Sequence, residues 1–252
     1  MERDRSLRGL SERFKFSEDT LRELHQVYGS GLETVVRALR SPGKRYYVRA
    51  NTLRTTPEEV MARLAGKGFD VSQDEKMPEA LWVPVQGPFE VPSCPKKVMV
   101  EKFTAESVLQ GANVYAPGIV RCRKLRLGDT VNVIDDEGEI LASGIARMSE
   151  TQILTFRRGL AIEVTESTYR VPSFRETLEF QEGLIYPQSY PAILTSRILD
   201  PEPSDVVLDM TCSPGGKLSH ISQLMKNQGR LFGVDRNRQK IDTAMATCRR
   251  MG

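Results

Sequence analysis

Asp205-Val-Val-Leu-Asp-Met-Thr-Cys-Ser-Pro-Gly-Gly-Lys-Leu-Ser-His220 reads as a strand, a tight loop and the first turn of a helix. Val206-Val207-Leu208 is a short apolar run suited to a parallel sheet covered on both faces, and it ends at Asp209. Pro214-Gly215-Gly216 then turns the backbone sharply, because two successive glycines permit positive φ and close approach of a ligand to the main chain. The helix that follows offers free N–H groups and the positive end of its dipole, where a charged small molecule can lie. About twenty residues past Gly215, Leu231-Phe232-Gly233-Val234 ends in Asp235, the place where nucleotide-binding α/β folds set an acid for ribose hydroxyls. The expected unit is βαβ with an acid at each strand tip. A glycine pair in such a loop is also explained by a purely structural turn.

The longer string from Asp209 to Lys217, Asp-x-Thr-x-Ser-Pro-Gly-Gly-Lys, resembles the S-adenosylmethionine (SAM) loop of the Nop/Sun family of RNA cytosine-5 methyltransferases, Asp-x-(Cys or Thr)-Ala-Ala-Pro-Gly-Gly-Lys-Thr-Thr-His. Asp209, Thr211, Pro214, Gly215, Gly216, Lys217 and His220 match; Cys212, Ser213, Leu218 and Ser219 depart, and the hydroxyl lost at Leu218 allows weaker SAM binding. The resemblance implies SAM as cofactor, held by Thr211, Cys212, Ser213, Pro214, Gly215, Gly216 and Lys217, with Asp235 taking the ribose hydroxyls and Lys240 close by. Lys217 is the candidate catalytic residue, as a base or for substrate positioning; a solvated lysine at a helix start is the plainer alternative. His220 has a sufficient structural reason on that helix and is not expected to be the base.

Upstream, Ile185-Tyr186-Pro187-Gln188-Ser189 resembles the Gly-x-x-Tyr-x-Gln-Asp-x-Ser segment that precedes the SAM loop in the same family, with a helix over Ala192 to Leu199 and a linker at Pro201-Glu-Pro-Ser204. From Lys96 to Glu166 short β-branched strands alternate with turns, the mark of a small barrel. Its words Gly111-Ala112, Pro117-Gly118, Gly128-Asp129 and Gly144-Ile145-Ala146 resemble a PUA domain, which implies binding of structured RNA. Ten basic and ten acidic residues in this stretch give no electrostatic case for the whole domain. The local case is Arg121, Arg123, Lys124 and Arg126 beside Tyr115 to Gly118, with Arg157 and Arg158 before the last strand: cations for phosphate, and a ring at Tyr115 on which an unpaired base can stack. Tyr115 packed into the barrel, with arginines that only solvate a strand, is the alternative.

Before the barrel, Tyr46 to Leu53 reads as a strand, Thr56-Pro-Glu-Glu59 as a capping box with proline at N1, and Phe69 to Val71 and Ala80 to Val85 as further strands. Val48-Arg49-Ala50-Asn51-Thr52-Leu53 resembles the family's Arg-Val-Asn-Thr-Leu strand, which implies an RNA-recognition-like α/β domain. Residues 1–45 read as helical and basic, with Ser17 as a cap, eleven Arg or Lys up to Arg49 and seven acids; Arg37, Arg40, Lys44 and Arg45 either solvate a helical cap or meet phosphate.

The expected fold is a multidomain α/β and α+β chain: an RNA-recognition-like domain (1–95), interrupted by a PUA-like β-barrel (96–168), resumed over 169–200, and followed by the first βαβα unit of a Rossmann-like methyltransferase core (201–252). A PUA domain inserted there resembles a tRNA-directed branch of the family. Methylating cytosine at C5 needs a thiolate to add at C6, an acid near N3 and a base for the C5 proton. The Pro-Cys and Thr-Cys loops that supply these in the family are missing from their places. Thr211-Cys212 lies in the SAM loop itself, and Cys248 lies on a helix over Asn237 to Arg250 whose apolar side carries Ile241, Ala244 and Met245. Both cysteines are expected to pack. The chain is therefore expected to be the N-terminal part of a longer methyltransferase, or a product broken at that point, binding RNA and SAM weakly without turnover. The rival readings are a non-catalytic PUA-domain RNA-binding protein that uses a vestigial methyltransferase unit as scaffold, and a dinucleotide-dependent oxidoreductase, which lacks its G-x-G-x-x-G here.

Bulk properties set the outer limits. With 39% hydrophobic and 27% charged residues over 252 positions, the chain has an ordinary globular composition. A net charge of +3 is compatible with a nucleic-acid partner without arguing for one. No run of about 18 apolar residues is present and the N-terminus lacks a signal-peptide core, so neither a membrane partner nor export is expected; RNA, above all tRNA, is the partner that the resemblance implies. Cys94, Cys122, Cys212 and Cys248 are spread without a C-x-x-C pair and read as reduced thiols of a cytoplasmic, metal-free protein, expected as a monomer.

Overall fold

The computed structural model describes the chain from Glu2 to Gly252, with side chains from Leu7 onward. It divides into a compact unit that ends at Lys44 and a larger one over Arg45–Gly252.

The first unit is three helices, α1 (Glu2–Phe14), α2 (Glu18–Tyr28) and α3 (Leu32–Leu39). Ser17 caps α2 as expected, its Oγ accepting from the Thr20 N–H at 3.2 Å, and Gly29 ends that helix at φ 52°. Leu7, Phe14, Leu21, Leu32 and Val36 form the core. Arg37, a phosphate candidate, donates to Glu33 at 2.9 Å and lies over the Phe14 ring.

In the larger unit β1 (Arg45–Ala50) is followed by α4 (Pro57–Ala65), β2 (Ser72–Gln73) and β3 (Ala80–Pro84). Only half of the expected capping box forms. Thr56 Oγ1 accepts from the Glu59 N–H, while the Glu59 carboxylate turns to Thr55 and Arg63. The strand expected over Phe69 to Val71 starts later, at Ser72; the Phe69 N–H is bound to the Leu64 carbonyl at 3.2 Å, at the end of α4, and its ring packs on Phe174.

The barrel comprises β4 (Lys96–Val100), α5 (Lys102–Val108), β5 (Val114–Tyr115), β6 (Ile119–Cys122), β7 (Thr130–Ile134), β8 (Ile140–Ala146), α6 (Glu150–Phe156) and β9 (Leu160–Ser167), in the sheet order β5-β9-β8-β7-β4-β6. Alternating residues of these strands, among them Val98, Val131, Val133 and Ile162, fill its interior. Helix α6 has no counterpart in the sequence reading.

After α7 (Leu178–Gln181) the chain returns. Strand β10 (Ile185–Pro187) pairs antiparallel with β1, Arg49 opposite Tyr186, giving the sheet order β10-β1-β3-β2. The sheet begun before the barrel is completed after it, so the barrel is an insertion. Then come α8 (Tyr190–Leu199), β11 (Val206–Asp209), α9 (Gly216–Leu224), β12 (Arg230–Gly233) and α10 (Arg238–Met251), with β11 and β12 parallel. One face of this pair is bare: Val206, Leu208, Met210, Phe232 and Val234 are exposed. Met245, expected on the packed side of α10, is 41% exposed. Among the described residues no helix is long and apolar enough to cross a membrane.

Candidate functional site

The loop after β11 is built by its own short-range hydrogen bonds. Asp209 Oδ1 accepts from the Thr211 N–H at 3.1 Å, and the Gly215 N–H donates to the Cys212 carbonyl at 2.7 Å. Asp235, at the tip of the second strand, accepts from the Ser213 N–H at 3.0 Å and the Arg236 N–H at 2.8 Å, with Lys240 Nζ 3.6 Å away. These backbone bonds, and then Lys240, hold its carboxyl below the usual range. The acid expected for ribose hydroxyls thus also ties the two strand tips together.

The glycines serve a purpose the sequence did not reveal. Gly215 is left-handed at φ 100°, and a Cβ there would meet the Ala244 carbonyl and Thr247 at 3.0 Å; a Cβ on Gly216 would lie 2.8 Å from the Tyr186 ring. The close approach is that of α10 on one side and Tyr186 on the other. What the loop leaves exposed is Thr211, Pro214 and Lys217, with Cys212 buried and Ser213 half-buried. Around them is a cleft of about 200 Å³ that also takes in Asp209, Tyr186, Pro187, Gln188 and Ala192.

Behind the cleft lies a polar network. Arg49, fully buried, donates through Nε to Gln188 Oε1 at 2.9 Å, through Nη2 to Ser219 Oγ at 2.9 Å and the Gly216 carbonyl at 3.5 Å, and through Nη1 to Gln223 Oε1. Burial lowers the Arg49 guanidinium to about 9. Gln223 Nε2 returns hydrogen bonds to the Ala50 carbonyl and Thr52 Oγ1. Asn51 Nδ2 donates to the carbonyls of Gly183 and Met251. The word Arg49-Ala-Asn51-Thr52 is therefore a clasp between β1 and helices α9 and α10. The side-chain nitrogen of Gln188 is buried with no partner, an orphaned donor in a residue that lines the cleft.

His220 is fully buried and donates through Nε2 to Glu79 Oε1 at 3.1 Å, while Arg197 Nε reaches the same carboxylate oxygen at 2.6 Å. Burial alone would raise the Glu79 carboxyl, but the hydrogen bonds from His220 and Arg197 outweigh it and hold it at about 2. Burial lowers His220, whose Nδ1 has no partner. The histidine joins α9 to the start of β3, in agreement with its expected structural role.

No thiol near the site is activated. Burial raises Cys212, with Asp209 and Asp235 adding to the effect, and burial raises Cys248. The Cys212 sulfur packs where Gly233 leaves room, 3.0 Å from a Cβ placed there. Among the described residues no cluster of His, Cys, Asp or Glu is placed to hold a metal.

On the barrel, Tyr115 is 58% exposed, which removes the alternative in which its ring packs inside. Arg121, Arg123, Lys124, Arg126 and Arg158 are exposed as well. Arg157 is spent on the framework: its guanidinium donates to the Ile119 carbonyl at 3.0 Å and the Pro117 carbonyl at 2.9 Å, bracing the turn after Tyr115. Gly118, expected at the RNA surface, is instead buried; a Cβ there would lie 2.1 Å from Thr104 Oγ1, so its glycine is required by packing. In the first sheet Tyr46 stacks on Phe174 and Tyr47 packs against Tyr190, which leaves no aromatic pair there for bases.

Sequence reasoning passed over Arg49, Gln188, Glu79 and Arg197 as site residues. The signal for the first two was present in the words that carry them, but only their pairing across β1 and β10 shows what they do.

Family models described as PUA domain, 16S rRNA methyltransferase RsmB/F, and RsmF/B-like ferredoxin-like domain match residues 96–168, 196–252 and 20–90. A tRNA (cytosine(72)-C(5))-methyltransferase of Pyrococcus horikoshii is 37% identical over 224 residues, 86% of this chain and 57% of its own length. The tRNA (cytosine(72)-C(5))-methyltransferase NSUN6 of Mus musculus is 29% identical over 260 residues, 92% of this chain and 54% of its own length. A crystal structure of NSun6 from Pyrococcus horikoshii with SFG gives a TM-score of 0.81 at 34% identity, covering 92% of this chain and 62% of that one. The chain spans little more than half the length of these curated relatives.

Proposed function

Because the chain belongs to the RsmB/F methyltransferase family and carries a PUA domain, we propose that it serves SAM-dependent cytosine-5 methylation of RNA, with tRNA as the substrate. The observation that carries this reading is the cleft at the Asp209–Lys217 loop, where a cation, an uncapped helix start and an orphaned amide donor stand beside an acid. The related structure holds SFG, a SAM analogue, and the donor set here fits such a ligand, which carries both acceptors and an ammonium. When bound, SAM supplies an electrophilic methyl group. Thr211, Pro214, Gly216 and Lys217 would line its binding place, Asp235 and Lys240 would meet the ribose, and Lys217 would orient the base or its phosphate.

RNA is held on the barrel, by Tyr115 and the exposed Arg121, Arg123, Lys124, Arg126 and Arg158. We place the domain limits at 95/96, 168/169 and 200/201, and the protein in the cytoplasm as a monomer. Burial raises the Cys122, Cys212 and Cys248 thiols, so none of these three is an activated nucleophile for C6. The expected outcome is that the purified chain binds S-adenosylhomocysteine in a calorimeter and transfers no methyl from labelled SAM to tRNA. Methyl transfer by these 252 residues alone would sink the assignment of the chemistry, and failure to bind any adenosyl ligand would sink the cofactor reading.

A further inference from the structure

Arg49 is a buried cation whose hydrogen-bond acceptors are all neutral: Gln188 Oε1, Gln223 Oε1, Ser219 Oγ and the Gly216 carbonyl. The Glu79 carboxylate acts on it only through space and is already held by Arg197 and His220. A buried charge without a counter-ion is costly, so its retention needs a reason. Its contact with Gln188 gives one. A guanidinium has no acceptor, so the Gln188 atom at 2.9 Å must be the amide oxygen, and the orientation of the amide is fixed. The nitrogen is the end left over, 94% of the residue is shielded from water, and that nitrogen finds no acceptor in the protein.

Gln188 lines the same cleft as Lys217 and the start of α9. That nine-residue helix has no side-chain cap, and its leading N–H groups have no acceptor within the helix. Three kinds of donor thus meet at one cleft with the Arg49 charge behind them, and Asp209 is the single acid lining it. This pattern matches the amino-acid end of a ligand, a carboxylate for the donors and an ammonium for the acid. We propose that the Arg49–Gln188 pair receives the carboxylate of the methionyl end of SAM, with Gln188 Nε2 contacting the ligand and Arg49 as its positioning residue. The proposal rests on the cleft being the SAM site. In the bound state the orphaned nitrogen acquires its acceptor and the buried guanidinium a counter-charge, relayed through a polarised amide.

Two ligands separate the possibilities. S-adenosylhomocysteine and 5′-methylthioadenosine share the adenosine and the thioether, and only the first carries an amino-acid end. Gln188→Glu keeps an oxygen for Arg49 and replaces the donor with an anion; Gln188→Leu removes both groups. By calorimetry, Gln188→Glu is expected to weaken S-adenosylhomocysteine about ten-fold or more, and Gln188→Leu by several-fold, with methylthioadenosine changed less than about two-fold. Thermal melts run alongside should place Gln188→Glu no lower than the parent, since Arg49 gains a charged partner. Equal loss of both ligands, no loss of either, or a loss confined to tRNA binding would each overturn the proposal while the SAM reading stands. A parent chain that binds neither nucleoside overturns the SAM reading, and this proposal with it.

Discussion

The alternation of side chains along β1 decides what Arg49 and Asn51 do. Val48 and Ala50 point into the core of the first sheet, so the two polar residues between and after them face the opposite way, toward α9 and α10. There Asn51 Nδ2 satisfies the carbonyl of Gly183 at 2.8 Å and that of Met251 at 2.6 Å, while its Oδ1 accepts from the Leu53 N–H at 3.2 Å. Asn51→Leu fills a similar volume and leaves all three groups unpaired in a buried place. The expected cost is about 2–3 kcal/mol, read as a lower urea midpoint with an unchanged slope. A variant as stable as the parent would show that water replaces the amide. The sequence supplied the word Arg-Ala-Asn-Thr but not its partners, because hydrogen bonds to residues some 130 to 200 positions away have no local signature.

At the scale of elements, the joint among β3, α8 and α9 is one carboxylate with two donors. Glu79 sits just ahead of β3, Arg197 on α8 and His220 on α9. The neutral tautomer with hydrogen on Nε2 suits this geometry. A second proton would go on Nδ1, which has no acceptor, and so the folded state binds that proton less readily than the unfolded chain. With the histidine lowered from its ordinary 6.5, its contribution to stability is complete above that pH and is lost as pH falls below it. The Glu79 contribution, with the carboxyl lowered from 4.5 to about 2, is complete above 4.5 and is lost between the two values. Melting temperature should therefore fall in two stages on acidification. His220→Gln, whose amide still donates to Glu79, should flatten the first stage and leave the second. An unchanged profile would mean that His220 takes up its proton without strain. Elements of this size were legible where a cap and a periodic apolar face coincide, as at Ser17 and α2. Helix α6 escaped notice although Ser149 and Gln152 form a full capping box, because it spans seven residues and buries only Ile153. The glycine pair was legible as a turn, but its neighbours Tyr186 and Ala244 belong to elements that only folding brings there.

At the scale of the molecule, two surfaces make opposite demands. The barrel carries as many acids as bases, so the RNA binding proposed for it rests on where the cations stand. With Arg121 and Arg123 exposed beside the braced turn that presents Tyr115, replacing both arginines with alanine should lower the salt dependence of tRNA binding, d log K/d log [salt], by about 1 to 2. Tyr115→Ala should weaken binding at every salt concentration while leaving that slope unchanged. Parent-like behaviour in both variants would move the RNA site elsewhere. The second surface is the β11–β12 pair. A parallel sheet is stable when both faces are covered, and here α9, with α10 packed on it, lies against one face at β12. The other presents Val206 at 68% exposure, Leu208 at 56%, Met210 at 73%, Phe232 at 45% and Val234 at 52%, side by side because Leu208 and Phe232 are register partners. Such a contiguous patch is larger in kind than the scattered apolar residues normal on a surface, and it should take up an environment-sensitive dye. The 252-residue chain is expected to enhance anilinonaphthalene sulfonate fluorescence while fully folded, as judged by an unchanged near-ultraviolet dichroism spectrum. Leu208→Lys combined with Phe232→Lys should abolish most of that enhancement without lowering the melting temperature by more than a few degrees, since both side chains are already about half exposed. Dye binding that survives the double substitution would locate the sticky surface elsewhere, with the exposed Phe103, Leu127 and Leu154 of the barrel the next place to look.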